Sequence, residues 1–319
     1  ALALISHGIS AITLTAGAAS GDVTLTDSTL TSSGAEGVVG LNAAGGSIVQ
    51  QGGLSTSTRF AARAKNGISG NTSVSKYDVQ NSGLGDVALI NVGDVTFVTE
   101  LSNPGGELDV MVFGNVAAGD VAGSGDITIH STGLLTQTAG TTIAGGMLTL
   151  EVANSGGTIN TSVTGLTFTT TASGDVIVNN SSVDDSRPLE LHVAVADGSL
   201  DVHTDGDLLV TSVVSQSDSN SNSITLTADG DIVIDLLQSG VFAATDAEAR
   251  QIRLAYLSGA LREAEVFSAD QLDQLYVVGM AGTDTVALDG VLVAAQEVAS
   301  VTLVDGQNVE KLAASSYML

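Results

Sequence analysis

The residues best placed to do chemistry in this chain are four histidines and a thin scatter of bases. His7, His130, His192 and His203 are the histidines. Two of them sit beside acids, in Glu190-Leu-His192 and Asp201-Val-His203-Thr-Asp205. Residues two apart in a strand share a face. Each set therefore puts an imidazole and carboxylates on one polar side. That is a donor set for a divalent metal if neighbouring strands stack in register, and an ordinary solvated face if they do not. Asp184, Asp185 and Arg187 form the acid–base cluster of the middle of the chain, and they read as a polar corner loop before Pro188. Arg59, Arg63, Lys65 and Lys76 are four of the nine bases. They read either as a solvated insertion balancing local acid or as a docking patch for an anionic partner. No nucleophile elbow, phosphate-binding loop or zinc-protease motif is present. A polysaccharide lyase would need a carboxylate cluster and a base on one face, and Arg187 is the lone base between 77 and 249. The expectation is a protein that is not an enzyme and has no catalytic residues.

The elements that carry these residues repeat one device. Gly-Asp occurs eight times, each time followed by Val, Ile or Leu. In Gly206-Asp207-Leu208-Leu-Val210 and Gly93-Asp94-Val95-Thr-Phe97 an alternating stretch follows the pair. Period-2 alternation marks a half-buried strand. The glycine is expected to supply the positive φ of a corner, and the Asp to bond its own backbone there. Gly85 to Phe97 aligns without a gap on Gly198 to Val210, and Gly46-Ser-Ile48 echoes Gly157-Thr-Ile159. This suggests two long units, roughly 46–131 and 157–235. Strand-rich self-similarity at such periods means a solenoid. The irregular spacing of the Gly-Asp pairs favours a parallel β-helix, whose corners tolerate loops of any length, over a sandwich with regular hairpins. Residues 59–76 lack the period and read as loops with short strands.

Composition agrees. The 319 residues include 38 Gly, no Cys, no Trp and 3% aromatics. A core of stacked small aliphatics is implied. The net charge of −26 opposes nucleic acid and anionic membrane surfaces as partners. No apolar run is long enough for a membrane span, so no membrane insertion is expected.

Near residue 240 the pattern changes. Thr245-Asp-Ala-Glu248 matches a capping box, and Ile252, Tyr256, Leu257, Ala260, Leu261 and Ala264 share one helical face. This predicts a helix over about 246–264, followed by further strands. The domains expected are a β-helix over 1–240 and a helix-containing, α/β-like C-terminal module over 241–319.

Strings such as GDVTLTDSTLTSSG, GDITIHSTGLLTQTAG and ITLTADGDIVID resemble the repeats of filamentous-haemagglutinin-like bacterial surface exoproteins and adhesins. The resemblance covers most of residues 10–240. It implies a right-handed parallel β-helix, secretion to the cell surface, and an adhesive or stalk role. It implies no catalytic or cofactor-binding residues. A second stretch, Gly279-Met-Ala-Gly282-Thr-Asp284-Thr-Val286, is similar to the calcium-binding nonapeptide of repeats-in-toxin proteins, with Met280 in place of a glycine. That likeness makes Asp284 the candidate metal ligand, for calcium; the alternative is a structural turn.

The leading expectation is an extracellular, cell-surface structural and adhesive rod segment. Its partners would be glycans or proteins of a host or neighbouring cell, or copies of itself joined head to tail. The alternatives are a self-assembling subunit of an extracellular filament or sheath, and, further off, an extracellular carbohydrate-active enzyme. No cofactor is required, calcium apart.

Overall fold

The computed structural model describes residues 3–7, 11–17, 20–183, 187–215, 223–229, 232–234, 237–239, 251–256, 274–279, 300–305 and 308–313. The chain forms two compact units, Ala1–Ala153 and Asn154–Leu319. Both are parallel β-solenoids, the fold that the alternating strands and glycine corners predict.

In the first unit a coil consists of three short strands. Val87–Val92, Val95–Phe97 and Leu101–Asn103 make one coil; Leu108–Phe113, Val116–Ala118 and Val121–Gly123 make the next. The three faces pair in parallel, Val87 with Leu108, Val95 with Val116 and Leu101 with Val121. Inward side chains pile into rows. Val23, Ile48, Ile68, Val87, Leu108 and Ile127 stand in one row by register, and all are buried. Each such side chain gains about 1.5–3 kcal/mol by leaving water. A second row carries the aromatic content of the core. Phe60 pairs with Tyr77 and Tyr77 with Phe97. Their ring centroids lie 6.2 and 6.1 Å apart, the first pair edge-on and the second stacked. Gly70 makes room for them: a Cβ there would already touch the Phe60 ring at 3.4 Å.

The second unit repeats the logic. Ile159, Val178, Val202 and Leu226 form a fully buried row. The backbone register continues it through Leu254, Val277 and Leu303. Strand Ser300–Asp305 then pairs antiparallel with Asn308–Ala313. The repeat distance between stacked residues runs from 17, Arg59 to Lys76, to 28, Ser223 to Gln251. Coil length therefore varies while the strands stay paired, and between Ile48–Ala64 and Ile68–Asn81 the change is taken up by a register shift between Val49 and Ser55.

Three expectations need correction. Gln251–Tyr256, inside the stretch expected to be helical, is a strand lying parallel between Ser223–Ala228 and Gln274–Gly279. No helix occurs among the described residues. The other residues of 246–264 lie outside them. Ile252, Leu254 and Tyr256 alternate as a strand requires, although Ile252 and Tyr256 also fit a helical face, and the parallel neighbours on both sides take up the backbone bonds of the strand. Residues 59–76 are likewise no looped insertion. Apart from the bend at 65–67 they belong to the two longest strands among the described residues, Ile48–Ala64 and Ile68–Asn81.

The third correction concerns the corners. At five of the eight Gly-Asp pairs the Asp carboxylate accepts from the next coil, a partner the sequence reading had not supplied. Asp22 Oδ1 takes Ser47 N–H at 2.7 Å, Asp86 Oδ1 takes Glu107 N–H at 3.0 Å, and Asp94 Oδ1 takes Asn115 N–H at 2.8 Å. Asp120 and Asp175 do the same for Thr142 at 2.9 Å and Ser199 at 2.8 Å. The glycines allow this contact. Gly85 has φ +124°, and a Cβ on Gly106 would sit 2.4 Å from the Gly85 carbonyl oxygen one coil below. A corner residue can come this close to the carbonyl of the coil below only if it has no Cβ itself, whatever residue supplies that carbonyl: a Cβ on Gly85 would in turn sit 2.3 Å from the Asn66 oxygen.

Candidate functional site

Three polar constructions stand out from the aliphatic rows. The first is a charged cluster on the outer face of the first unit. Asp78 follows Tyr77 on strand Ile68–Asn81 and is paired by register with Ala61. The small Ala61 leaves a recess between Arg59 and Arg63, and both guanidinium groups close over the Asp78 carboxylate. Arg63 Nη1 also donates to the Asp78 carbonyl at 2.7 Å, and Thr99 Oγ1 donates to the carboxylate at 2.7 Å. The carboxylate is 3% exposed, whereas the arginines are 41% and 40% exposed. Partial burial, with the Arg59 charge second, lowers the Arg63 pKa from its ordinary value. The bases noted in the sequence thus include a pair already committed to an internal carboxylate. Neither sequence reading, the solvated insertion or the free patch, describes that pair.

The second construction is a set of buried asparagine pins. Asn91, fully buried, accepts from Val74 N–H and Thr72 Oγ1, both at 2.9 Å. Its amide nitrogen donates to Val74 O at 3.1 Å and to Gly93 O at 2.8 Å. Every hydrogen-bonding position of the side chain is filled. It clamps one coil's corner to the next. The second unit builds the same clamp. Asn180 accepts from Val163 N–H at 3.0 Å and Thr161 Oγ1 at 2.9 Å, and donates to Val163 O at 3.3 Å. The sequence carries the signal twice: Asn71-Thr-Ser-Val74 with Gly85-Asp86 and Asn91, and Asn160-Thr-Ser-Val163 with Gly174-Asp175 and Asn180. Each element recurs 89 residues on. Sequence reasoning passed over these asparagines because Asn reads as a turn residue. Another corner is pinned by Asn81, whose Nδ2 donates to Asn103 Oδ1 at 2.8 Å.

The third is a trough along one corner of the first unit. A groove of about 410 Å3 touches Thr31, Ser57, Thr58, Ser73 and Ser75, and a second of about 310 Å3 touches Thr96, Asn115 and Thr136. They meet at Ser75 and Asp94, which border both.

The metal candidates fare differently. His130 Nδ1 lies 3.1 Å from Glu151 Oε2, and His203 Nε2 lies 3.6 Å from Asp229 Oδ1. By register His203 stands beside Asn179 on one side and Thr227 on the other, and His192 beside Ser212. Stacking thus does not bring the two His-acid sets together. Among the described residues no group of three or more His, Asp or Glu is placed to hold a metal ion. Asp284, Asp184 and Asp185 lie outside the described residues.

No protein-family model, curated protein or solved structure matches the chain. The class defined by fold and geometry is a parallel β-solenoid repeat protein, its coils locked by stacked aliphatics, corner aspartates and asparagine pins.

Proposed function

We propose that this chain is a structural and adhesive segment of a secreted bacterial surface protein, a stiff β-helical rod that presents its corners for attachment. The observation that carries the reading is the coil-to-coil locking. Asn91 and Asn180 clamp backbone to backbone inside, and the Gly-Asp carboxylates fasten the next coil from outside. Such a ladder of short-range interactions stiffens a solenoid along its stacking direction without disulfides. The surface-exoprotein likeness of the repeats points to secretion and adhesion. We assign the chain no enzymatic role; release of sugar from polysaccharides incubated with purified protein would overturn that.

The test has two arms. Negative-stain images of the purified chain should show discrete elongated particles, and beads coated with it should adhere to bacterial or epithelial cells. Compact particles would refute the rod. Bare-bead levels of adhesion would refute the attachment role. Long end-to-end filaments would replace this reading with the assembling-subunit alternative.

A further inference from the structure

We propose that the corner trough of the first unit binds a neutral polysaccharide chain. The inference deepens the attachment role proposed above, and rests on it. The trough crosses six successive rungs, from Thr31 through Thr56, Ser73, Asp94 and Asn115 to Thr136. At ~4.8 Å per rung that is about 24 Å, long enough for an oligosaccharide.

Its floor has a definite hydrogen-bonding character. Thr58 Oγ1 donates to Gly34 O at 2.8 Å, Ser75 Oγ to Thr58 O at 3.0 Å, and Ser73 Oγ to Val92 O at 3.1 Å. Further along, Thr136 Oγ1 donates to Val116 O at 3.3 Å. Each hydroxyl spends its proton on a backbone carbonyl. What it offers the trough is oxygen lone pairs. A floor of acceptors calls for a ligand rich in O–H donors. It also turns away anions, as does Asp94, the one charged residue on the walls. The nearby arginines do not compensate, because Arg59 and Arg63 are closed over Asp78.

The lip supplies the other half of sugar recognition. Val92 and Leu134 border the trough and are 54% and 37% exposed. Phe113 pairs by register with Val92, accepts Gly93 N–H at its carbonyl at 3.0 Å, and is 50% exposed. The other rings of this unit, Phe60, Tyr77 and Phe97, are buried in its core. Phe113 itself lines neither groove, but its open side chain stands one rung from Val92 on the trough's border, where a sugar reaching past the lip would lay its C–H face on the ring and its hydroxyls on Ser and Thr.

The experiment is calorimetric titration of the whole chain with cellohexaose, maltoheptaose, N-acetylchitohexaose and oligogalacturonate. At least one neutral oligosaccharide should bind, with little dependence on salt. Phe113→Ala should weaken that binding by about tenfold, corresponding to ~1.4 kcal/mol. Ser75→Trp, which fills the junction of the two grooves, should abolish it. Leu84→Ala removes a still more open apolar side chain that lines neither groove and should leave binding unchanged. Thermal melts of the variants check that each remains folded. The proposal is overturned if no neutral oligosaccharide binds at millimolar concentration, if oligogalacturonate binds more tightly, or if Phe113→Ala and Ser75→Trp bind like the parent. Rods that adhere to cells yet bind none of the neutral probes would sink the trough and spare the scaffold reading. Compact, non-adhesive particles that still bind sugar would do the reverse.

Discussion

Replacing Asn91 by Leu tests the pinning argument most directly. The side chains have the same number of heavy atoms and the same branching at Cγ, so the change removes polar partners without opening a cavity for water. Three backbone groups lose their bond: Val74 N–H, Val74 C=O and Gly93 C=O. Each buried group left unpaired costs about 1–3 kcal/mol. The apolar side chain returns about 1.5–3 kcal/mol by its burial. The expected net loss is about 3 kcal/mol. Because solenoids need not unfold as one unit, the decisive readout is local. Native-state hydrogen exchange at the Val74 amide should accelerate about a hundredfold or more, since ~1.4 kcal/mol is a factor of ten. Asn180→Leu should do the same at Val163, its counterpart in the second unit. Asn115→Ala also removes a bond to the next coil, from Leu134 N–H at 2.7 Å, but at an exposed corner where water replaces it, and should cost about 1 kcal/mol or less. An Asn91→Leu protein with unchanged Val74 protection and a loss under about 1 kcal/mol would show that the pins are incidental to the stacking.

The other predictions concern the corner, the charged recess and the aromatic row. Gly106→Ala should lower the melting temperature, at a cost of about 1–3 kcal/mol, because its Cβ would press on the Gly85 carbonyl oxygen at 2.4 Å; a melt within a degree of the parent would refute the close-approach argument. Removing Arg59 and Arg63 together should cost about 3 kcal/mol or more in urea unfolding, since it strands the Asp78 carboxylate, 3% exposed, without its cations. Asp78→Ala should cost less, because the arginines it frees already reach water; the opposite order would refute this. Burial pushes the Tyr77 phenol well above its ordinary value, against the opposing pull of its hydrogen bond with Thr72. The folded state then keeps its proton where the unfolded chain loses it. The stabilisation is complete below about pH 10 and falls above it by ~1.4 kcal/mol per unit. Tyr77→Phe should flatten that alkaline decline in chemical denaturation, and an unchanged slope would assign the decline to other groups.

The solenoid was legible because its two loudest signals are local. A glycine followed by an acid and an alternating apolar stretch spans only a few residues, and that spacing already implies stacked strands. What was not legible depends on residues a whole coil apart. The Asp86 carboxylate looks for Glu107 N–H, 21 positions on, and nothing in Gly85-Asp86-Val87 says whether it serves its own turn or the next. Around Arg59 the period vanishes because Asp78, on an outward position between two inward ones, is buried under two cations. An acid in that place reads as exposed until its partners are known. Gln251–Tyr256 failed for a different reason. Its apolar spacing satisfies strand and helix templates alike, and the Thr245–Glu248 match tipped the sequence reading towards a helix. The trough was invisible because Thr31, Ser57, Ser75 and Thr136 are each unremarkable strand residues; they acquire a shared character when register lines them up.

Strands stay paired while the distance from one rung to the next varies from 17 to 28 residues, with a register shift between Val49 and Ser55 where the spacing drops to 17. Added length is thus taken up at the bends, and the ladders on either side do not feel it. The bend over 138–142 is a suitable graft point: Gly140, with φ +80°, has nothing within 4 Å of where a Cβ would stand. A peptide epitope or affinity handle spliced there would be displayed outward on a scaffold whose own pairing carries on undisturbed.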